Sequence, residues 1–220
     1  KTAQVNPAEV CEVFERDRED DIVGIFLSSK LSGTFQSACI AREMAEGDNN
    51  HLVDSLNVTV GLGLLVRIAA AMREEGRSAG EIVREIERLK RRVRMVAFVS
   101  TLKYLKMGGR IPASTAVLGT MLGICPVVSV ENGKVESIGK VKGKQKVMEF
   151  TNSFVNHHLI DYRYPVVFGH AHAIDTVAVY REKCCRTFHI ENSCLDELGA
   201  ALGTHSGPGC YGMVYIEREK

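Results

Sequence analysis

"DIVGIFLSSKLSGTFQSACIAREMAE" (residues 21–46) passes from an apolar run through a polar loop into an amphipathic segment. "IVGIF" is short, apolar and β-prone, and reads as a buried strand. "FQSACIAREMAE" has the apolar spacing of a helix, expected from about residue 34 to 46. Between them lies "SSKLSGT" (28–34), in which four of seven residues carry hydroxyls and one is glycine. A strand that hands over to a helix through a short loop is the first half of a βαβ unit.

The flanks continue the pattern. "PAEVCEVFERDRED" (7–20) has near-helical apolar spacing, with Pro7 suited to a first helical turn. "NHLVDS" (50–55) reads as a second short strand, and "GLGLLVRIAAAMREEG" (61–76) as a helix closed by Gly76. In "SAGEIVREIERLKRRV" (78–93), Ser78 and Glu81 have the spacing of a capping box. Strand, helix, strand, helix in this order predicts right-handed crossovers and a parallel, Rossmann-like sheet. This N-terminal α/β lobe is assigned to residues 1–94.

The remainder, 95–220, mixes hairpin and crossover elements and is read as a second α/β lobe with a mixed sheet. "MVAFVS" is a strand, and "TLKYLKMGGRI" carries a helical turn into a double glycine. "PASTAVLGTMLGI" is an apolar helix with small residues. "CPVVSVENGKVESIGKV" (125–141) is two strands around Asn132–Gly133, a strong hairpin signal. A helix over 143–158, a strand over 164–171, the helix "DTVAVYREKCC" and the strand "RTFHIEN" follow. "GTHSGPGCYGMVYIE" (203–217) reads as a glycine-rich turn feeding a last strand.

Of the 220 residues, 45% are hydrophobic and 25% charged, and the net charge is +1. That balance sets up no field to attract nucleic acid or an anionic membrane. No apolar run approaches the ~18 residues of a bilayer span, so stable membrane insertion is not expected. The seven cysteines are odd in number, irregularly spaced and without a C-x-x-C pair. They read as reduced thiols of a cytoplasmic protein, and no metal site or cofactor is expected.

The loop between a parallel strand and its helix is where open α/β folds bind ligands. The first N–H groups of the helix are unpaired and favour an anion. Hydroxyls of Ser28, Ser29, Ser32 and Thr34 can add donors, and Gly33 permits close approach. The sequence lacks the P-loop pattern, so a carboxylate or a non-nucleotide phosphate fits best. Simple capping by one hydroxyl is the competing reading. His205 lies in the second polar turn. Arg110, after Gly108 and Gly109, could clamp an anion. "HAH" (170–172) lacks a third metal ligand in view.

Five segments together, "SSKLSGTFQSA", "VDSLNVTVGLGLLV", "LKYLKMGGRI", "GICPVVSVENGKV" and "GTHSGPGCYGMVY", resemble the DegV family in order and spacing along nearly the whole chain. The opening "KTAQ" resembles that family's Thr-Ser-Gln turn, with Ala3 at the serine position. The alignment implies a further N-terminal segment carrying a first strand and an Asp-Ser turn. The resemblance implies a two-lobed α/β protein holding a long-chain fatty acid between its lobes, without catalysis of its own. Some members present the lipid to a separate fatty acid kinase.

Carried over residue by residue, the carboxylate would be bound by Thr2, Ser29, Ser32, Gly33, Thr34 and His205. Ser206 stands at the threonine of the family's His-Thr-Gly-Pro-Gly turn, and Arg110 would lie at the mouth, near a kinase contact. Lysines in "KVKGKQK" (140–146) replace arginines common in the family, keeping charge but losing the planar fork. The acyl channel is expected along "GLGLLV" and "AVLGTMLGI" (116–124), at Leu62, Leu65, Val117, Gly119, Met121 and Leu122. A monomer is favoured. Two other functions compete: a hydrolase using Ser32 and His205 on an acyl substrate, and a regulatory module acting through its surface.

Overall fold

The computed structural model describes residues 1–112 and 123–219. The expected channel residues Val117, Gly119, Met121 and Leu122 lie outside the described residues, as does most of the expected helix over 116–124.

The chain is an α/β protein with a small parallel sheet and a larger mixed sheet. The first sheet pairs β1 (Ile22–Phe26) with β2 (Asn50–Asp54) in parallel, Ile22 opposite Asn50 and Phe26 opposite Asp54. The crossover between them is α2 (Thr34–Met44). Helix α1 (Pro7–Arg16) begins with Pro7 in its first turn behind an Asn6–Glu9 capping box. Its Val10 and Phe14 meet Ala38 and Ala41 of α2 in a small core.

Helices α3 (Thr59–Glu74) and α4 (Ala79–Leu89) follow. The capping box of α4 is formed: Ser78 accepts from the Glu81 N–H, and the Glu81 carboxylate accepts from the Ser78 N–H. The apolar stripe of α4, Ile82, Ile86 and Leu89, is buried.

The second sheet has the order β5-β4-β3-β8-β6-β7. Its members are β3 (Val93–Phe98), β4 (Ile124–Glu131), β5 (Lys134–Lys142), β6 (Val166–Ala171), β7 (Ser193–Glu197) and β8 (Cys210–Ile216). All its pairings are antiparallel except β6 with β7. Strands β4 and β5 form the hairpin around Asn132 and Gly133, both with φ in the left-handed region at 49° and 84°. Strand β3 straddles the boundary expected at residue 94, since Val93 and Arg94 already pair with Ile216 and Tyr215.

Side-chain alternation gives this sheet two apolar faces. Val96, Phe98, Phe168 and Met213 pack with α6 (Lys144–His157) and α7 (Ile174–Phe188). Met95, Ala97, Val128 and Val214 face the other way, with Leu64, Leu65 and Ile68 of α3 in the same core.

Two expectations are corrected. The strand expected at "RTFHIEN" is the end of α7, which runs to Phe188; the strand begins only at Ser193. His189 at φ 53° turns the chain out of the helix, and Ile190 is buried behind it. The glycine-rich turn expected around His205 is instead the last turn of a short helix, α8 (Ala200–Ser206). Ala200, Ala201 and Leu202 are strong helix formers, and Gly207 at φ 74° ends the helix.

Candidate functional site

A cavity of about 500 Å³ opens between the loops of the first sheet and the inner face of the second. Its floor belongs to the three central strands. Ala97 of β3, Gly212 of β8 and Gly169 of β6 stand side by side in register and all line it. Side chains this small keep the sheet surface low. Met95, Val99, Val128, Val135 and Val214 extend the apolar lining. Leu198 and Leu202 close it from the α8 side, and Val58 and Val60 from the start of α3.

One end of the cavity is polar. Thr2, Ser32, Gly33, Thr34, Arg110 and His205 all line it, although Thr2 and His205 are separated by 203 positions. The Ser32 and Thr34 hydroxyls bond each other at 2.9 Å, and the Ser32 oxygen also accepts from the Thr34 N–H at 3.3 Å. The N-cap of α2 is Gly33, with no side-chain cap, so beyond the Thr34 N–H that Ser32 holds, the first-turn N–H groups carry no cap. The Gln4 side chain crosses the place a Cβ on Gly33 would occupy and reaches Ser37 Oγ.

Thr2 Oγ1 and His205 Nε2 lie 2.9 Å apart. The other ring nitrogen of His205 packs against Gly108, on the residue after α5 (Lys103–Met107). A Cβ there would come 2.8 Å from Cε1 of the ring, so glycine at 108 makes room for the histidine. Burial, and then the nearby Arg110 guanidinium, push the His205 pKa down. The imidazole is therefore neutral at pH 7 and offers one N–H. Arg110 donates from Nε to the Leu31 carbonyl at 3.0 Å and from a terminal nitrogen to the Gly108 carbonyl. Its fork is partly committed to holding the loop, rather than free for a bidentate anion clamp.

The loop itself is braced from behind. The Ser28 N–H donates to Asn57 O at 2.8 Å, and Asn57 Nδ2 donates to Ser55 O and Lys90 O. Asp54 Oδ1 accepts from the Ser29 and Leu56 N–H groups.

Three expected residues lie elsewhere. Ser29 is exposed and does not line the cavity, because the turn directs it outward and only its N–H is used, toward Asp54. Leu65 is fully buried in the core with Leu64, and Leu62 is half-buried; neither lines the cavity. A helix rotates about 100° per residue, so only the first turn of α3 faces the cavity. Residues that sequence reading missed include Ala97, Gly169 and Gly212. Their alternation with apolar neighbours was visible, but their alignment depends on strand register.

Ser32 and His205 do not pair: the serine bonds Thr34 and the histidine bonds Thr2. Among the described residues no carboxylate hydrogen-bonds His205, and no group of His, Cys, Asp or Glu could hold a metal. Nor, among them, is any helix long and apolar enough to cross a membrane.

Comparison with known proteins agrees with this architecture. The model of the family described as "uncharacterised protein, DegV family" matches residues 1–218. A DegV domain-containing protein of Clostridium acetobutylicum is 33% identical over 220 residues, covering 99% of this chain and 78% of the relative. The structure of a DegV family protein from Thermus thermophilus, described by its fatty acid binding, is 30% identical with a TM-score of 0.85; the match covers 99% of this chain and 79% of that one. A DegV lipid-binding protein of Thermotoga maritima superposes with a TM-score of 0.88 at 24% identity, covering 100% of this chain and 78% of its own. With the match running from the first residue through both sheets and both sides of the cavity, this chain belongs to the DegV family.

Proposed function

We propose that the cavity binds a long-chain fatty acid, with its carboxylate at the Thr2–Ser32–Thr34–His205 end and its tail over Ala97, Gly212 and Gly169. The observation that carries this reading is the polarity of one cavity: apolar along the sheet, with hydroxyls, an imidazole and an uncapped helix start at one end. A volume of about 500 Å³ lies within the range of ligand sites, roughly 300–1,000 Å³. The fatty acid binding of the Thermus relative supports it.

The energetics divide the labour. About 14 buried CH₂ groups contribute roughly 11 kcal/mol gross at ~0.8 each, against several kcal/mol of association and ordering losses. Each hydrogen bond to the charged headgroup adds roughly 1.5–3 kcal/mol. The tail supplies affinity and the polar end supplies direction. The donors there are mostly neutral, and they leave the carboxylate reactive.

On this reading the chain is a carrier, not an enzyme. A separate kinase transfers the γ-phosphoryl group of ATP to a carboxylate oxygen, giving an acyl phosphate and ADP. The uncoupled Ser32 and His205 favour a carrier over a hydrolase. Free thiols, with Cys184 and Cys210 each pushed up to about 12 by burial, fit the reducing cytoplasm.

Native mass spectrometry of the purified protein tests the binding. A co-purifying species of fatty-acid mass is expected, and Ser32→Ala should weaken its retention by about 1–3 kcal/mol. An empty cavity that also refuses added palmitate would refute it. Palmitate-loaded protein with ATP should give acyl phosphate only when a kinase is supplied; acyl phosphate from the chain alone would overturn the carrier role.

A further inference from the structure

Ser28 opens the hydroxyl loop but does not line the cavity. It is 0% exposed, and all three of its polar groups are used. Its N–H donates to Asn57 O. Its carbonyl accepts from the Leu31 N–H at 2.9 Å and the Ser32 N–H at 3.1 Å. Its hydroxyl accepts from the Lys30 N–H at 3.2 Å and donates to the Gly133 carbonyl at 2.7 Å. Gly133 is the tip of the β4–β5 hairpin, 105 positions away.

The fit at that tip is close. A Cβ on Gly133 would lie 2.6 Å from Ser28 Oγ and 3.3 Å from Leu56 Cδ2. Gly133 also has φ 84°, which side chains other than glycine rarely adopt. Turn chemistry and docking therefore both demand glycine there. A hydroxyl at 28 joins the second sheet to the loop, and the Ser28 carbonyl holds the N–H of Ser32 in the same turn.

We propose that Ser28 is a positioning residue: its buried hydroxyl couples the β4–β5 hairpin tip to the loop carrying Ser32, and this contact sets the cavity's preference for a carboxylate headgroup. The inference rests on the fatty-acid reading above. Ser28 touches no ligand on this account. It acts by fixing where the Ser32 hydroxyl points, as outer partners orient the groups that bind. A serine that served only to cap its own turn would affect every ligand equally through stability.

The test compares palmitate with hexadecanol, which keeps the chain and removes the charge. Affinities for both are measured on wild type, Ser28→Ala, Gly133→Ala and the double variant, with thermal melts alongside. Both single variants should lower the preference for palmitate over hexadecanol by ~10-fold, the loss of a well-placed bond to a charge, with hexadecanol binding held within about twofold. The double variant should lose no more than the worse single, since both break one contact. Equal weakening of acid and alcohol, or an unchanged preference, overturns the proposal. If Ser28→Ala does not fold, Ser28→Cys, similar in shape but a poorer donor, carries the same comparison. Wild type that binds no palmitate would instead sink the fatty-acid reading and this one with it. Wild type that binds, with variants keeping their preference, sinks this one alone.

Discussion

His205 shows how a single side chain depends on its neighbour's lack of one. Its ring lies against Gly108, and Thr2 meets its Nε2. Gly108→Ala should push the ring off the proposed headgroup site while leaving the backbone at φ −78° unstrained. Palmitate retention should fall several-fold with little change in melting temperature, as a fluorescence displacement assay and a melt would show; unaltered retention would remove the ring from the headgroup site. A second residue governs acid stability. Asp161 is buried and holds Arg163 at 2.6 Å and Arg92 at 2.8 Å. The Arg163 hydrogen bond, the largest cause, draws its pKa down to about 2 against the opposing effect of burial. A depressed folded-state pKa stabilises above the unfolded value, near 4, and that contribution is lost as pH falls toward 2. With Arg163 largely exposed, the contribution is discounted to about 1–2 kcal/mol. Asp161→Asn should therefore be less stable in urea at pH 7, with the gap closing below about pH 4 as the wild-type carboxylate protonates. A gap that persists at pH 2 would show that packing, not charge, is responsible. At this scale the sequence exposed residue types but not directions: the hydroxyls of Ser29 and Ser32 looked alike in "SSKLS", and only the turn sends one to solvent and the other into the cavity.

Elements were legible where their signals were local. The Ser78–Glu81 pair marked the start of α4, and both reciprocal bonds are made. Ser78→Ala should cost about 1 kcal/mol, a fall of roughly 2–4 °C in melting temperature for a chain of this size. No change in the melt would mean that packing of Ile82, Ile86 and Leu89 alone holds that end. Asn132–Gly133 likewise announced its hairpin, because the two left-handed residues of the turn are written into the dipeptide. The failures were tertiary. β7 (Ser193–Glu197) is polar and half-buried at the sheet edge, and only its parallel pairing with β6 makes it a strand. Helix α8 is seven residues with no buried side chain of its own, too short to show a period, yet it packs beside α5, where Gly108 receives the His205 ring.

Over the whole molecule, the order of strands and helices was enough to separate a parallel first sheet from a mixed second one, because crossover and hairpin connections differ in length. The boundary near residue 94 was less legible. β3 continues the helical half directly into the second sheet, and α3 packs against β1 as well as β6 and β8. One core therefore joins Val53 of the first sheet, Leu64 and Leu65 of α3, and Val214 of the second. The cavity lies in the same seam, with Leu27 and Leu31 on one side and Val128 and Val214 on the other. A fatty acid bound there, as proposed, would replace missing contacts between the two sheets, and its binding free energy would add to the stability of the folded chain. Saturation at ~100 times Kd adds about 2.7 kcal/mol, or roughly 5–10 °C at this size. Delipidated protein should melt lower by that amount and regain it with palmitate. The seam predicts where the loss falls: hydrogen exchange should rise most in residues 27–34 and 200–206, which meet the cavity, and least in β3 and β8, which are paired on both sides. Protection lost equally across both sheets would place the ligand somewhere other than between them.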